Sequence, residues 1–142
     1  MIDRDTVGAY IYVPKHKEIL LQKKTLDYPR LGAGGWFTFG GVIEKGEDPL
    51  EALFREIREE LGVEREFFKR IHPVFNAFCD TGKEWGKSHL FGMEREDRDL
   101  EDYTIGEGAG IAYFNYEEIP DLNMNNIEKE WIMEFIRSQN DN

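Results

Sequence analysis

The spacing of apolar residues changes along this chain, and each change predicts an element. Thr6–Val13 (TVGAYIYV) and Glu18–Lys23 (EILLQK) are near-continuous runs of β-branched, aromatic and aliphatic residues, with the polar PKHK between them. Runs of this length and composition predict two strands joined by a turn. Residues 26–35 hold Pro29 and three glycines and predict a loop. Residues 36–39 (WFTF) form a short apolar segment leading into Gly40-Gly41.

From Asp48 the period becomes helical. Leu50, Leu53, Phe54, Ile57 and Leu61 fall on one stripe, which predicts an amphipathic helix over 48–61. Asp48 suits its N-cap, Pro49 the first helical position, and Glu51 completes a capping-box spacing. Gly62 is placed to stop it. Residues 67–79 and 87–95 predict strands joined by the polar loop DTGKEWG, and 110–116 (GIAYFNY) predicts another. A closing amphipathic helix is predicted at 125–137, with Ile127, Trp131, Ile132, Phe135 and Ile136 inward. No internal repeat or low-complexity linker interrupts the pattern. The expectation is an α/β single domain over 1–142.

Composition narrows the partners. The chain is 40% hydrophobic and 13% aromatic, as a globular domain requires, and carries a net charge of −11. That balance argues against duplex nucleic acid and anionic membranes, which attract Lys/Arg surfaces. A small anionic ligand stays open, because bound metal ions reverse the local field. A single cysteine, Cys79, leaves no intramolecular disulfide and suits a reducing compartment. The N-terminal MIDRDTVGAY lacks the regions of a signal peptide, and no apolar run approaches spanning length; a cytoplasmic protein is expected. His16, His72 and His89 show no zinc spacing. Nor is there a Ser/His/Asp order, or an activating partner for Cys79, to suggest covalent catalysis.

The acidic side chains of the first helix carry the chemistry. Glu56, Glu59 and Glu60 crowd into little more than one turn. Like charges so close destabilise a helix by a few tenths of a kcal/mol per pair (about 0.2–0.5). On a helical wheel Glu56 and Glu60 lie about 40° apart, at the edge of the apolar stripe. The crowding makes sense with a cation among them, and hard divalent ions take carboxylate oxygens together with substrate phosphates.

Residues 41–63, GVIEKGEDPLEALFREIREELGV, resemble the Nudix box of the Nudix hydrolases, G-x5-E-x7-R-E-U-x-E-E-x-G-U with U a bulky aliphatic. Gly41, Glu47, Arg55, Glu56, Ile57, Glu59, Glu60, Gly62 and Val63 fill every specified position. The resemblance implies an α/β/α sandwich with a mixed β-sheet. It also implies Mg²⁺-dependent hydrolysis, with Mn²⁺ as a possible substitute, of a nucleoside diphosphate linked to another group. Glu56, Glu59 and Glu60 would be metal ligands, with Glu56 as ligand or base. Arg55 would orient the glutamates, Glu47 would support the loop–helix junction, and the carbonyl of Gly41 or Gly40 would add a ligand. Phe39 stands where family members often have proline, which bears on the loop but not on the ligands.

Two later stretches are similar to the MutT-like branch, which acts on nucleoside triphosphates including oxidised purines. Glu107, in IGEG, matches a loop glutamate that binds metal or activates water; Glu94, Glu96 and Glu101 are alternatives. Asn123 matches an asparagine that hydrogen-bonds the purine, although it could equally precede a helix capped by Asn125 or Asn126. Lys23 and Lys24 fall where basic residues meet phosphates. Trp36, Phe37, Phe78 and Phe91 could stack a base or fill the core. The resemblance leaves other substrates open: sugar nucleotides, ADP-ribose and dinucleoside polyphosphates. A non-catalytic nucleotide sensor and RNA processing also remain, the latter needing a basic path that is absent. Monomer and homodimer are both compatible. Loops at 26–35, 80–86 and 97–108 are expected to choose the substrate.

Overall fold

Alternate residues of the strand β2 (Thr6–Val13) go to opposite faces, and each face meets its own core. Val7, Ala9 and Ile11 are buried with Leu53, Ile57 and Leu61 of helix α1 (Pro49–Leu61). Tyr10 and Tyr12 are buried with Ile132, Phe135 and Ile136 of helix α2 (Asn126–Asn140). The strand β3 (Glu18–Lys23) repeats the division, sending Leu20 one way and Ile19 and Leu21 the other. Strands covered on both faces read as continuous apolar runs rather than alternating ones. The computed structural model describes residues 2–28, 34–80, 84–106 and 110–140, with 2, 3, 79, 80, 84, 85 and 140 described by backbone alone.

The sheet between the helices is mixed. One edge of β2 pairs in parallel with β7 (Glu84–Glu94), from Thr6 opposite Ser88 to Tyr12 opposite Glu94. Its other edge is shared between two antiparallel partners. Residues 11–13 pair with β3, and residues 6–9 with β5 (Phe39–Val42). The far edge of β3 carries β8 (Gly110–Asn115), while Gln22 and Lys23 pair with β4 (Trp36–Phe37). β6 (Arg70–Asp80) closes the outside as a hairpin with β7, and β1 (Ile2–Asp3) adds a short parallel piece to β7. This is the expected α/β/α sandwich.

The caps of α1 form as the sequence predicts. The Asp48 carboxylate accepts from Glu51 N at 2.9 Å, and the Glu51 carboxylate accepts from Asp48 N at 3.4 Å. Gly62 ends the helix in the left-handed region, at φ 69°. The Asn125 side chain caps α2, accepting from the backbone N–H groups of Ile127 and Glu128 at 2.9 and 3.2 Å.

Several boundaries differ from expectation. The strand expected at 67–79 begins at Arg70, because Phe67 closes a 3-10 turn and packs edge-on to Phe68 and Tyr103 at 5.4 and 5.2 Å. Much of the loop expected at 80–86 is ladder, with Cys79 opposite Gly86 and Asp80 opposite Trp85. Pairing uses main-chain groups, so polar side chains do not end it. The segment expected as one run at 36–39 divides at Thr38, where the chain leaves β3 for β2. Tyr116, expected to end a strand, starts a 3-10 turn instead. Leu50 and Ile127, expected in the inner stripes, are 41% and 43% exposed. Both lie in the first turn of their helices, and the buried faces start further on, at Ala52 and Ile132. No helix among the described residues is long and apolar enough to cross a membrane.

Candidate active site

The site is built where β5 delivers the chain to α1. Gly40 has φ +148°, and a side chain there would run into the Val7 carbonyl on the paired strand. Only glycine holds that position without strain. Gly41 is bare for a different reason: a Cβ would run into the carboxyl group of Glu56. Main chain and carboxylate therefore meet directly.

Arg55 organises the acidic side of this junction. Its Nε and Nη2 donate to Glu47 Oε2 and Oε1 at 2.7 and 2.9 Å, a two-pronged pair, and Nη2 also donates to Val42 O at 3.0 Å. The same guanidinium donates through Nη1 to Glu56 Oε1 at 2.9 Å and lies 3.6 Å from Glu59 Oε2. It holds the Glu47 carboxyl below the usual glutamate range and is itself made harder to deprotonate, first by Glu47. One planar side chain thus ties the loop, the β5 backbone and two box glutamates.

The three glutamates have different surroundings. Glu59 is 55% exposed, Glu56 15%, and Glu60 is buried. Glu60 Oε2 accepts from Gln22 Nε2 at 2.7 Å and Oε1 from Gly40 N at 3.1 Å. Burial pushes its pKa up to about 7, against the pull of those donors and of Lys24, with Glu56 adding to the rise. The carboxylates do not converge on one point, because Glu60 is drawn to neutral donors and Glu56 to Arg55. Among the described residues, the one set of three acidic, histidine or cysteine side chains whose ligand atoms lie within 4.8 Å of one another is Asp97, Asp99 and Asp102. Those three are exposed, and Arg95 accounts for their grouping: Nη2 lies 2.9 Å from Asp97 and 3.6 Å from Asp102, and Nη1 donates to the Asp99 carbonyl.

Behind the Gly40–Gly41 backbone lies a cavity of about 200 Å³. Gln22, Lys24, Phe37, Thr38, Glu128 and Trp131 are among its walls. Gln22 is buried and donates to both Glu60 and the Thr38 carbonyl, the latter at 3.0 Å. Thr38 donates through N and Oγ1 to the Glu128 carboxylate at 3.0–3.3 Å. A hydrogen-bonded path, Glu128–Thr38–Gln22–Glu60, therefore runs along the cavity wall to the box. Desolvation raises the Glu128 pKa, countered by Thr38 and Lys24.

The other expected residues are dispersed. The Lys24 ammonium reaches the cavity and lies 4.8 Å from the Tyr28 ring centroid and 5.7 Å from that of Phe37. Lys23 is exposed, with its ammonium 5.8 Å from the Trp36 ring, and neither it nor Trp36 lines the cavity. Trp36 instead packs edge-on to Phe114 at 4.7 Å. The Asn123 side chain is exposed, and its carbonyl accepts from Trp36 N at 2.9 Å. Phe91 is in the core and Phe78 is exposed. Glu94 and Glu96 pair with Lys69 on the β6–β7 hairpin side, and Glu101 is exposed. Glu107 lies outside the described residues, although the preceding Gly106 donates its N–H to the Glu60 carbonyl at 2.9 Å.

Sequence reasoning missed Gln22, Thr38 and Glu128. Thr38 had a signal, as the lone polar residue in the apolar WFTF segment, and Gln22 had a weaker one, as a neutral polar residue closing an apolar strand run. Glu128 had none, being one glutamate among several on a helix.

The model of the NUDIX domain family matches residues 3–135. Nudix hydrolase 2 of Arabidopsis thaliana is 32% identical over 90 residues, covering 60% of this chain and 28% of that protein. The 8-oxo-dGTP diphosphatase of Proteus vulgaris is 29% identical over 75 residues, covering 52% of this chain and 64% of that one. The matches thus span less than two thirds of either relative. The crystal structure of the MutT protein from Methanosarcina mazei superposes with a TM-score of 0.76 at 19% identity, covering 99% of this chain and 97% of that one, and shows the same fold.

Proposed function

This chain belongs to the NUDIX domain family, and from that premise we propose that it hydrolyses a phosphoanhydride bond in a nucleotide. Its substrate is a nucleoside triphosphate, and water divides it into a nucleoside monophosphate and pyrophosphate. One observation carries this reading: the Gly40–Gly41 backbone stands between the box carboxylates and a cavity that holds the Lys24 ammonium. A ring placed in the cavity has its phosphates delivered toward the glutamates. Similarity to the Proteus vulgaris diphosphatase supports the choice of a triphosphate.

The donor set fits a hard divalent ion. It consists of oxygens only, from Glu56, Glu59 and Glu60 with the Gly41 carbonyl, which suits Mg²⁺ or Mn²⁺ rather than a thiophilic metal. The space that a Cβ would fill at Gly41 leaves the Glu56 oxygens against main chain. Such an ion supplies charge neutralisation for the phosphates and makes water a stronger acid. The chain's own groups position the parts. Arg55 fixes Glu56 and Glu47, Gln22 and Gly40 N fix Glu60, and Lys24 adds positive charge in the cavity wall. Phosphoryl transfer depends mostly on such placement and electrostatics.

The test is hydrolysis with Mg²⁺ across a panel of triphosphates, sugar nucleotides and dinucleoside polyphosphates, with products identified. Nucleoside monophosphate should appear from a triphosphate, and Glu59→Gln or Glu60→Gln should slow its release by several orders of magnitude (roughly 10²–10⁴-fold). Unchanged turnover in both variants would overturn the assignment. Cleavage of sugar nucleotides alone would overturn the substrate.

A further inference from the structure

The cavity holds a carboxylate that the Nudix box does not include. Glu128 projects from the first turn of α2 into the cavity wall, partly buried. Among the described residues its only hydrogen-bond donors are N and Oγ1 of one residue, Thr38, in three contacts of 3.0–3.3 Å. An ionised carboxylate offers about four lone-pair sites, and among the described residues no cation lies within ion-pair distance of it. A half-satisfied charge in a partly desolvated wall is costly unless a ligand supplies donors. Lys24 lies close enough for its charge to act on Glu128, so the wall presents paired acceptors beside a donor.

The size of the cavity limits what can meet those groups. At about 200 Å³ it falls below the roughly 300–1,000 Å³ of sites that enclose a whole drug-sized ligand. It takes one ring system, with the rest of the nucleotide outside. Phe37, Tyr28 and Trp131 give that ring apolar walls.

The geometry points to Glu128 as the residue that selects the base, by accepting two adjacent N–H groups from a guanine-type edge. This assignment rests on the nucleotide reading above. Guanine offers N1–H and the 2-amino group side by side, with O6 next to them as an acceptor for Lys24. Adenine sets a lone pair at N1 beside its amino group, and that lone pair would face the carboxylate. Cytosine has the same defect at N3, and uracil or thymine offers one N–H between two carbonyls. Only the guanine edge gives two neighbouring donors to one carboxylate, and charge-assisted pairs of this kind are the strong ones. Donors from the base also favour the charged form of Glu128, which burial alone disfavours. Asn123, the base reader implied by resemblance, has an exposed side chain outside the cavity lining.

The experiment compares kcat/KM for GTP, ITP and ATP, and binding of GMP and AMP by calorimetry, in wild type and Glu128→Gln. Sites that hydrogen-bond a substrate reject analogues lacking the group by large factors, and about 10²-fold for GTP over ATP is expected here. ITP, without the 2-amino group, should fall between. The carboxamide of Glu128→Gln offers one acceptor and one donor, which matches adenine. The variant should therefore narrow the GTP/ATP ratio at least tenfold (about 1.4 kcal/mol) and improve AMP binding. Gain of adenine recognition cannot come from misfolding. GTP and ATP handled within about threefold of each other by wild type, or a ratio unchanged in the variant, would overturn the assignment. Turnover without base preference sinks this inference alone. Glu128-dependent GMP binding without turnover of any nucleotide sinks the hydrolase reading alone.

Discussion

Gln22 Nε2 donates to Glu60 Oε2 at 2.7 Å, and the same amide nitrogen donates to the Thr38 carbonyl at 3.0 Å. A side chain from the second long strand thereby fixes a carboxylate on the first helix, 38 residues later. Gln22→Met keeps length and removes both donors. Partners of this kind typically matter 10–100-fold to metal affinity or activity, and about that loss is expected. Mn²⁺ binding followed by electron paramagnetic resonance, alongside kcat and KM, separates loss of the carboxylate's position from loss of substrate affinity. An unchanged Mn²⁺ affinity with unchanged kcat would show that Gln22 only fills space.

Gly40 and Gly41 should fail in different ways. At Gly40 a Cβ meets the backbone of β2, which cannot yield cheaply, so Gly40→Ala should lower the melting temperature markedly. At Gly41 it meets the Glu56 carboxyl, the end of a flexible side chain. Gly41→Ala should keep most of the stability and lose activity. Thermal melts and turnover on the same two proteins decide it. Equal loss of stability in both would contradict the distinction.

The buried arc of α1 can be checked by truncation. Leu53 is fully buried and Leu50 is 41% exposed. Leu53→Ala should cost about 2–5 kcal/mol through lost transfer energy and a cavity. Leu50→Ala should cost under about 1 kcal/mol. Urea unfolding with a common slope measures both, and similar costs would place the helix at a different rotation.

Glu128 gives the fold a predictable pH dependence. Its pKa in the folded protein is raised above the ordinary glutamate value of 4.5 by desolvation. Folding therefore binds the proton more tightly than unfolding does, and stability from this group is complete below 4.5. It is lost as pH rises from there through the raised value. Glu128→Gln cannot ionise and escapes that loss. The melting temperature of the variant relative to wild type should therefore be higher at pH 8 than at pH 4. A constant difference would mean that the carboxylate is solvated in the folded state.

Much of the candidate site was legible because it is local. Asp48, Pro49, Glu51 and Gly62 each satisfy helix-end groups within a few residues, so the limits of α1 followed from spacing. The box glutamates share a helix with Arg55, and Glu47 reaches that arginine across eight positions. Strands β2 and β3 were legible because cover on both faces leaves an uninterrupted apolar run. The β6–β7 hairpin was less so, since its ladder runs on through polar residues whose main chain pairs regardless of side chain.

By itself the sequence determined the family, the order of the main strands and helices, and the crowding of three glutamates into little more than one turn of α1. Those properties are written in spacings along the chain, which hydrogen bonding and hydrophobic periodicity convert directly into structure. Only the tertiary structure decided which carboxylate is buried and which polar residues hold it. Glu56, Glu59 and Glu60 differ in exposure because β5 and Gln22 cover one side of the helix, and a wheel drawn from α1 alone carries no neighbours. It also placed Glu128 at the cavity and left Asn123 outside. Residues 22, 38, 60 and 128 meet through strand pairing and helix packing, which act across separations that no local pattern encodes.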